Sequence, residues 1–262
     1  MNTVFFRKLE IGRGKPKVAV PIAAETKEDI LTQAKGLFGL PFDLVEWRVD
    51  HYQYGLEIAP VLETLEELRT VLGEIPLLVT FRTKREGGMK EISPEEYAAL
   101  NLSVARSGNA DGVDVEIQMG EETVNQIVTG AHGAGVCVVG SSHEFGYTPS
   151  REEMITRLCK AQDMGCDIAK LAVMPQSKRD VQELLSVTEE VACKYARQPI
   201  VTVSMGKLGS ISRLCGEMIG SSITFGAAGQ TSAPGQIPLE ELHEALEIVH
   251  RAVERKKQEG LK

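Results

Sequence analysis

Apolar positions along this chain follow two alternating spacings. Short runs of consecutive apolar residues give way to longer stretches whose apolar residues recur three and four apart. The first spacing marks a strand covered on both faces, the second an amphipathic helix. Runs at 17–23, 42–49, 76–81, 113–117, 136–141, 167–175, 200–203 and 222–225 read as eight strands. A helical stretch follows each, clearest at 58–72, 121–134 and 239–257. Several helix starts carry local signals. Thr26-x-x-Asp29 and Ser177-x-x-Asp180 resemble capping boxes, and Ser93-Pro94-Glu95-Glu96 combines a capping hydroxyl, a first-turn proline and a glutamate three residues on. Thr148-Pro149 is expected to cap the helix that reaches about Met164, and the segment from Ser210 to about Met218 is short. Ahead of the repeat, Val4-Phe5-Phe6 and Leu9-Glu10-Ile11 form a small N-terminal hairpin.

Eight βα units imply a parallel sheet with helices outside it, and eight that close on themselves give a (β/α)8 barrel. The open doubly wound sheet is the alternative. It usually carries G-x-G-x-x-G after its first strand, where this chain has Ala23-Ala24-Glu25-Thr26. With 262 residues and no long linker, the expectation is one barrel domain over 1–262.

Composition narrows the partners. The chain is 42% hydrophobic and 25% charged, with a net charge of -8. That acidity argues against nucleic-acid or anionic-membrane partners. Its five cysteines are odd in number and include no Cys-x-x-Cys pair, as in a reduced compartment. No apolar run approaches the length of a membrane span and no signal peptide precedes Val4, so the expected home is the cytoplasm.

Candidate chemistry collects where the strands end, the catalytic face of such a barrel. Glu46, Arg48 and Asp50 share one face of the second strand, because side chains alternate along a strand. Arg82 ends the third, with Glu86-Gly87-Gly88 in its loop. Asp114 and Glu116 lie on the fourth, Ser141-Ser142-His143 end the fifth, and Lys170 interrupts the apolar sixth. Ser204, Ser212 and Arg213 follow the seventh, and Ser232 and Gln236 the eighth. A dry interior disfavours an ammonium, and a neutral amine attacks carbonyls to form Schiff bases. Lys170 and His143, on sequential strands, therefore supply a nucleophile and a base side by side. Arg48 and Arg82 are expected to help keep a second cation from forming at Lys170. Arg48, Arg82 and Arg213 point to an anionic or hydroxyl-rich substrate. Zinc-type ligand spacing is absent. A Mg²⁺ site built from Glu46, Asp50, Asp114 and Glu116 stays open, although the arginines would crowd it.

The motifs Glu46-Trp47-Arg48-Val49-Asp50, Thr80-Phe81-Arg82, Glu86-Gly87-Gly88, Ser142-His143, Lys170 to Pro175, Ser204-Met205-Gly206, Ser212-Arg213 and Ser232 to Gln236, in this order, resemble type I 3-dehydroquinate dehydratase of the shikimate pathway. The resemblance spans essentially the whole chain. It implies a (β/α)8 barrel, usually a homodimer, with a hairpin closing the barrel bottom and no cofactor or metal. It implies dehydration of 3-dehydroquinate through an imine on Lys170. His143 takes a proton from the adjacent carbon and returns one to the departing hydroxyl, and Glu86 orients it. Arg213 holds the substrate carboxylate, and Glu46, Arg48 and Arg82 hold ring hydroxyls. Ser232 and Gln236 lie on a closing loop, and the stretch from Gly226 to Gln236 is expected to be its mobile lid. Some relatives carry a serine near the end of the first strand, where this chain has Pro21. A class I aldolase and a catalytically dead ligand-binding barrel are the competing readings.

Overall fold

The structure, a computed structural model, describes residues 2–229 and 234–259, with side chains as far as Glu254. Two short strands, β1 (Val4–Phe6) and β2 (Leu9–Ile11), pair antiparallel as the expected hairpin. The eight anticipated strands follow: β3 (Lys17–Ile22), β4 (Leu44–Arg48), β5 (Leu77–Thr80), β6 (Gly112–Glu116), β7 (Cys137–Glu144), β8 (Ile168–Val173), β9 (Ile200–Ser204) and β10 (Ile223–Ala227). All pair in parallel in the order β10-β3-β4-β5-β6-β7-β8-β9. An Ile200–Ser221 bridge, with Ser222 N–H donating to Ile200 O at 2.8 Å, links the two ends and closes the circle. A two-residue strand, β11 (Ile237–Pro238), which the apolar pattern does not mark, adds to β10.

The helices are α1 (Lys27–Gly36), α2 (Ile58–Leu72), α3 (Pro94–Arg106), α4 (Glu121–Gly133), α5 (Arg151–Asp163), α6 (Lys178–Lys194), the single turn α7 (Gly216–Ile219) and α8 (Leu239–Glu259). Ser93 and Ser177 make full capping boxes, and Thr26 caps α1 through Asp29 N–H. The cap of α5 is Ser150, not Thr148: its hydroxyl accepts from Glu153 N–H, while the Thr148 hydroxyl donates to Met174 O. The proline pair signals a helix start, but the residue with extended backbone next to the first turn takes the cap.

Alternation along the strands separates two cores. Outward residues such as Val45, Trp47, Val79 and Val113 pack under the helices. Inward residues Ala19, Leu44, Leu78, Val139, Ile168, Val201 and Ile223 form a plug at the strand starts. Phe6 and Ile11 of the hairpin join that plug, so the hairpin closes the barrel bottom. Gly112 makes room for it: a Cβ there would lie 2.5 Å from the Phe6 ring. With the bottom apolar and sealed, the inward residues one and two steps further along each strand are left to line the opposite mouth.

Candidate active site

Those inward positions are Glu46 and Arg48 on β4, Thr80 on β5, Asp114 and Glu116 on β6, Ser141 and His143 on β7, and Lys170 on β8. The cavity at the mouth is lined by Glu46, Arg48, Arg82, Glu86, His143, Lys170, Arg213 and Gln236, with Phe145, Met205 and Phe225 as apolar wall. Eight of the nine expected site residues thus face one space. The ninth, Ser232, lies outside the described residues. Pro21 is not part of this lining; it faces a separate cleft beside Ala227 and Leu239.

Lys170 is 7% exposed, with Nζ 3.0 Å from Asp114 Oδ2, 3.4 Å from Glu46 Oε1 and 4.7 Å from the centre of the Phe225 ring. Its nearest charged groups are therefore carboxylates. The arginines expected to repel a cation there are engaged elsewhere. Arg48 makes a bidentate pair with Asp50, 2.9 Å on each side. Burial pushes the Asp50 carboxyl up, but this pair outweighs it and holds Asp50 below its usual range. Arg82 donates to Asp114 Oδ1 at 2.7 Å, Glu116 Oε1 at 3.0 Å and Ser141 Oγ at 2.9 Å. Asp114, fully buried, is held well below the normal carboxylate range because attraction to Arg82 and Lys170 overcomes burial.

Asp114, Glu116, Ser141 and Thr80 are the residues that sequence reasoning leaves without a role. Their signal is their inward parity on barrel strands. Asp114 bridges Lys170 and Arg82, and Thr80 Oγ1 donates to Glu46 Oε1 at 2.9 Å. Because Glu46, Asp50, Asp114 and Glu116 each already face a cationic side chain, they do not converge on a common metal position.

Glu86 arrives by a tight loop. Thr83 caps the turn Lys84–Glu86, and Gly88 folds back so closely that a Cβ would sit 1.9 Å from Arg82 O. The Glu86 Oε2 that results accepts from His143 N–H at 2.9 Å and lies 3.0 Å from His143 Nδ1. Burial, then the charges of Arg82 and Lys170, press the imidazole well below its ordinary value, so His143 is neutral at pH 7. Burial, then Glu116, raises Glu86 to about 8. An enclosed pair that resists charge on either member rests neutral.

This raised value predicts a pH effect on stability. The native protein keeps a proton on Glu86 that the unfolded chain releases above about 4.5. That contribution is complete below the unfolded value and is lost as pH rises through about 8. The melting temperature of wild type relative to Glu86→Gln, a neutral isostere, is expected to fall by ~3 °C or more between pH 6 and 9. Parallel melting curves across that range would remove the assignment.

Arg213 differs from the other cavity arginines. It is 2% exposed, yet it makes no ion pair among the described residues. Its Nη2 donates to Pro234 O at 3.1 Å, and its Nε is buried without a partner. Burial alone brings it down to about 10, so it remains charged at neutral pH. Its backbone is anchored from two sides: Ser204 N–H donates to Ser212 Oγ at 3.0 Å, and Thr224 Oγ1 donates to Arg213 O at 2.9 Å. A buried, unneutralised guanidinium aimed into a cavity is a receptor for an anion.

The expected lid needs a correction at its start. Gly226 and Ala227 belong to β10 and pair with Ile237 and Pro238 of β11, so the loop spans 228–236 at most. The apolar, two-sided burial of that strand end carries it past Phe225.

Comparison with known proteins agrees with this geometry. A sequence model of the family "Type I 3-dehydroquinase" matches residues 18–253. The chain is 46% identical over 247 residues to a 3-dehydroquinate dehydratase of Clostridioides difficile (strain 630), covering 94% of this chain and 97% of that one. It is 45% identical to one of Klebsiella pneumoniae subsp. pneumoniae, covering 95% and 99%. The crystal structure of a type I 3-dehydroquinate dehydratase from Clostridium difficile with covalent modified comenic acid superposes with a TM-score of 0.93 at 45% identity, covering 96% and 99%. That of the Geobacillus kaustophilus HTA426 enzyme gives 0.92 at 36% identity, covering 95% and 97%. With a family model over most of its length and relatives this similar end to end, the chain belongs to the type I 3-dehydroquinase family.

Proposed function

We propose that this protein is a lyase that converts 3-dehydroquinate to 3-dehydroshikimate through a Schiff base on Lys170. The observation that carries this reading is the shared cavity of an amine, an imidazole and an unpaired guanidinium. The Arg213 cation receives the substrate carboxylate and sets the ring between Lys170 and His143. The Lys170 amine, after passing its proton to the surrounding carboxylates or water, adds to the ketone carbon. Loss of water leaves a protonated imine, an electron sink that makes the neighbouring C–H acidic. With Glu86 ionised, Nδ1–H of His143 donates to it, and Nε2 is the lone pair that takes the carbon-bound proton. The enamine electrons then expel the hydroxyl, protonated by His143 as it leaves as water. A second water hydrolyses the conjugated imine and frees Lys170.

Glu46 and Arg48 hold ring hydroxyls in this scheme, and Arg82 contributes the guanidinium edge not engaged by Asp114 and Glu116. Gln236 and Ser232 close over the ligand from the 228–236 loop. Gln236→Ala should therefore raise KM about tenfold while borohydride trapping at Lys170 persists; unchanged KM would remove Gln236 from the site. A homodimer of single-domain chains in the cytoplasm completes the proposal, and no helix among the described residues is long and apolar enough to cross a membrane.

Mixing purified protein with 3-dehydroquinate tests the function directly. A conjugated enone carboxylate should appear in the ultraviolet. Carbon–carbon cleavage products instead would favour an aldolase, and inert substrate a non-catalytic barrel. Turnover should also survive EDTA, because the imine supplies the electron sink and the cavity carboxylates are already paired with cationic side chains. Loss of activity restored by Mg²⁺ or Zn²⁺ would overturn that expectation.

A further inference from the structure

A second gathering of ligand-type side chains lies between helices on the outside of the barrel. Glu217 stands on α7, and His250 and Glu254 stand one turn apart on α8. One ligand atom from each lies within 4.8 Å of the other two. Among the described residues this is the one group of three such side chains gathered so closely. Spacing of i and i+4 puts His250 and Glu254 on the same side of α8, and α7 brings Glu217 to that side.

The burial of Glu217 singles this group out from an ordinary surface cluster. Its side chain is 9% exposed, and His250 Nδ1 lies 2.8 Å from its Oε1. Its other oxygen, Oε2, is buried with no hydrogen-bond partner. A carboxylate oxygen cut off from water and left bare is costly, and native proteins seldom keep one without a ligand or ion to satisfy it.

We propose that Glu217, His250 and Glu254 form a divalent metal site of the zinc class that ties α7 to α8. One imidazole nitrogen and two carboxylates are a zinc-type donor set, with water as a fourth ligand. Mg²⁺ and Ca²⁺ favour all-oxygen shells. Bonds of about 2.0–2.2 Å require the ligand atoms to close to roughly 3.4 Å of one another. Glu217 and His250 already meet, so the adjustment falls mainly on the long side chain of Glu254. The position gives such an ion a structural task. Helix α7 starts shortly after the turn that carries Arg213, and α8 starts directly after β11, beyond Gln236. The ion therefore pins together the two elements that follow the anion-receiving side of the cavity, without touching the reacting groups.

The test uses the full chain, stripped with EDTA and titrated with Zn²⁺ against a chromophoric chelator, with melting followed in parallel. One equivalent should bind with micromolar or tighter affinity and raise the melting temperature by ~3 °C or more. Glu217→Gln and Glu254→Gln should each weaken binding about tenfold or more. Glu254→Gln, at a half-exposed position, serves even where the Glu217 variant folds poorly. Both should leave enone formation unchanged, and Co²⁺ should report nitrogen and oxygen ligation in its visible bands. Absence of a tight equivalent, or binding that persists in Glu254→Gln and His250→Asn, overturns the proposal.

Discussion

Lys170→Ala and Lys170→Met are expected to show no turnover and no borohydride adduct, whereas the wild-type chain should be trapped at Lys170 alone and only when substrate or product is present. The amine is the group that converts a poorly acidic C–H into an acidic one, and no other lysine lines the cavity. Mass spectrometry of the reduced protein reads the result on one peptide. An adduct on Lys207 instead would sink the assignment. These variants should also be less stable. Losing one partner of a buried ion pair typically costs about 3–5 kcal/mol, and Lys170 faces both Asp114 and Glu46. The loss should fall toward the low end, since Asp114 keeps Arg82 at 2.7 Å.

His143→Ala is expected to lower kcat by ~10²–10⁴-fold, the usual contribution of a general acid–base group. The imine should still form in it, because the Lys170 amine and the Arg213 cation are untouched. That split between trapping and turnover separates loss of the base from loss of the fold. Near-normal turnover would rule His143 out as the base. Glu86→Ala should be milder than His143→Ala: Glu86 fixes the ring at 3.0 Å from Nδ1 but does not itself meet the carbon-bound proton.

The chain's own pattern determined the eight strands, the hairpin and most helix starts, because each depends on neighbours a few residues away. Caps at Thr26, Ser93 and Ser177 form within one turn, and strands buried on both faces must be apolar runs. The same parity reasoning brought Glu46, Arg48, His143 and Lys170 to one mouth, and the order of the motifs identified the family. Partner choice was decided elsewhere. Whether Lys170 meets arginines or carboxylates depends on how β4, β6 and β8 sit across the barrel interior, between residues 124 and 56 positions apart in the chain. Arg82 and Arg213 look alike in sequence; only packing gives the first Asp114, Glu116 and Ser141 and leaves the second without a carboxylate. The continuation of β10 through Ala227 and the meeting of Glu217 with His250 have the same origin. Electrostatic partnership and burial are properties of distance in space, and local spacing carries no information about them until the barrel closes.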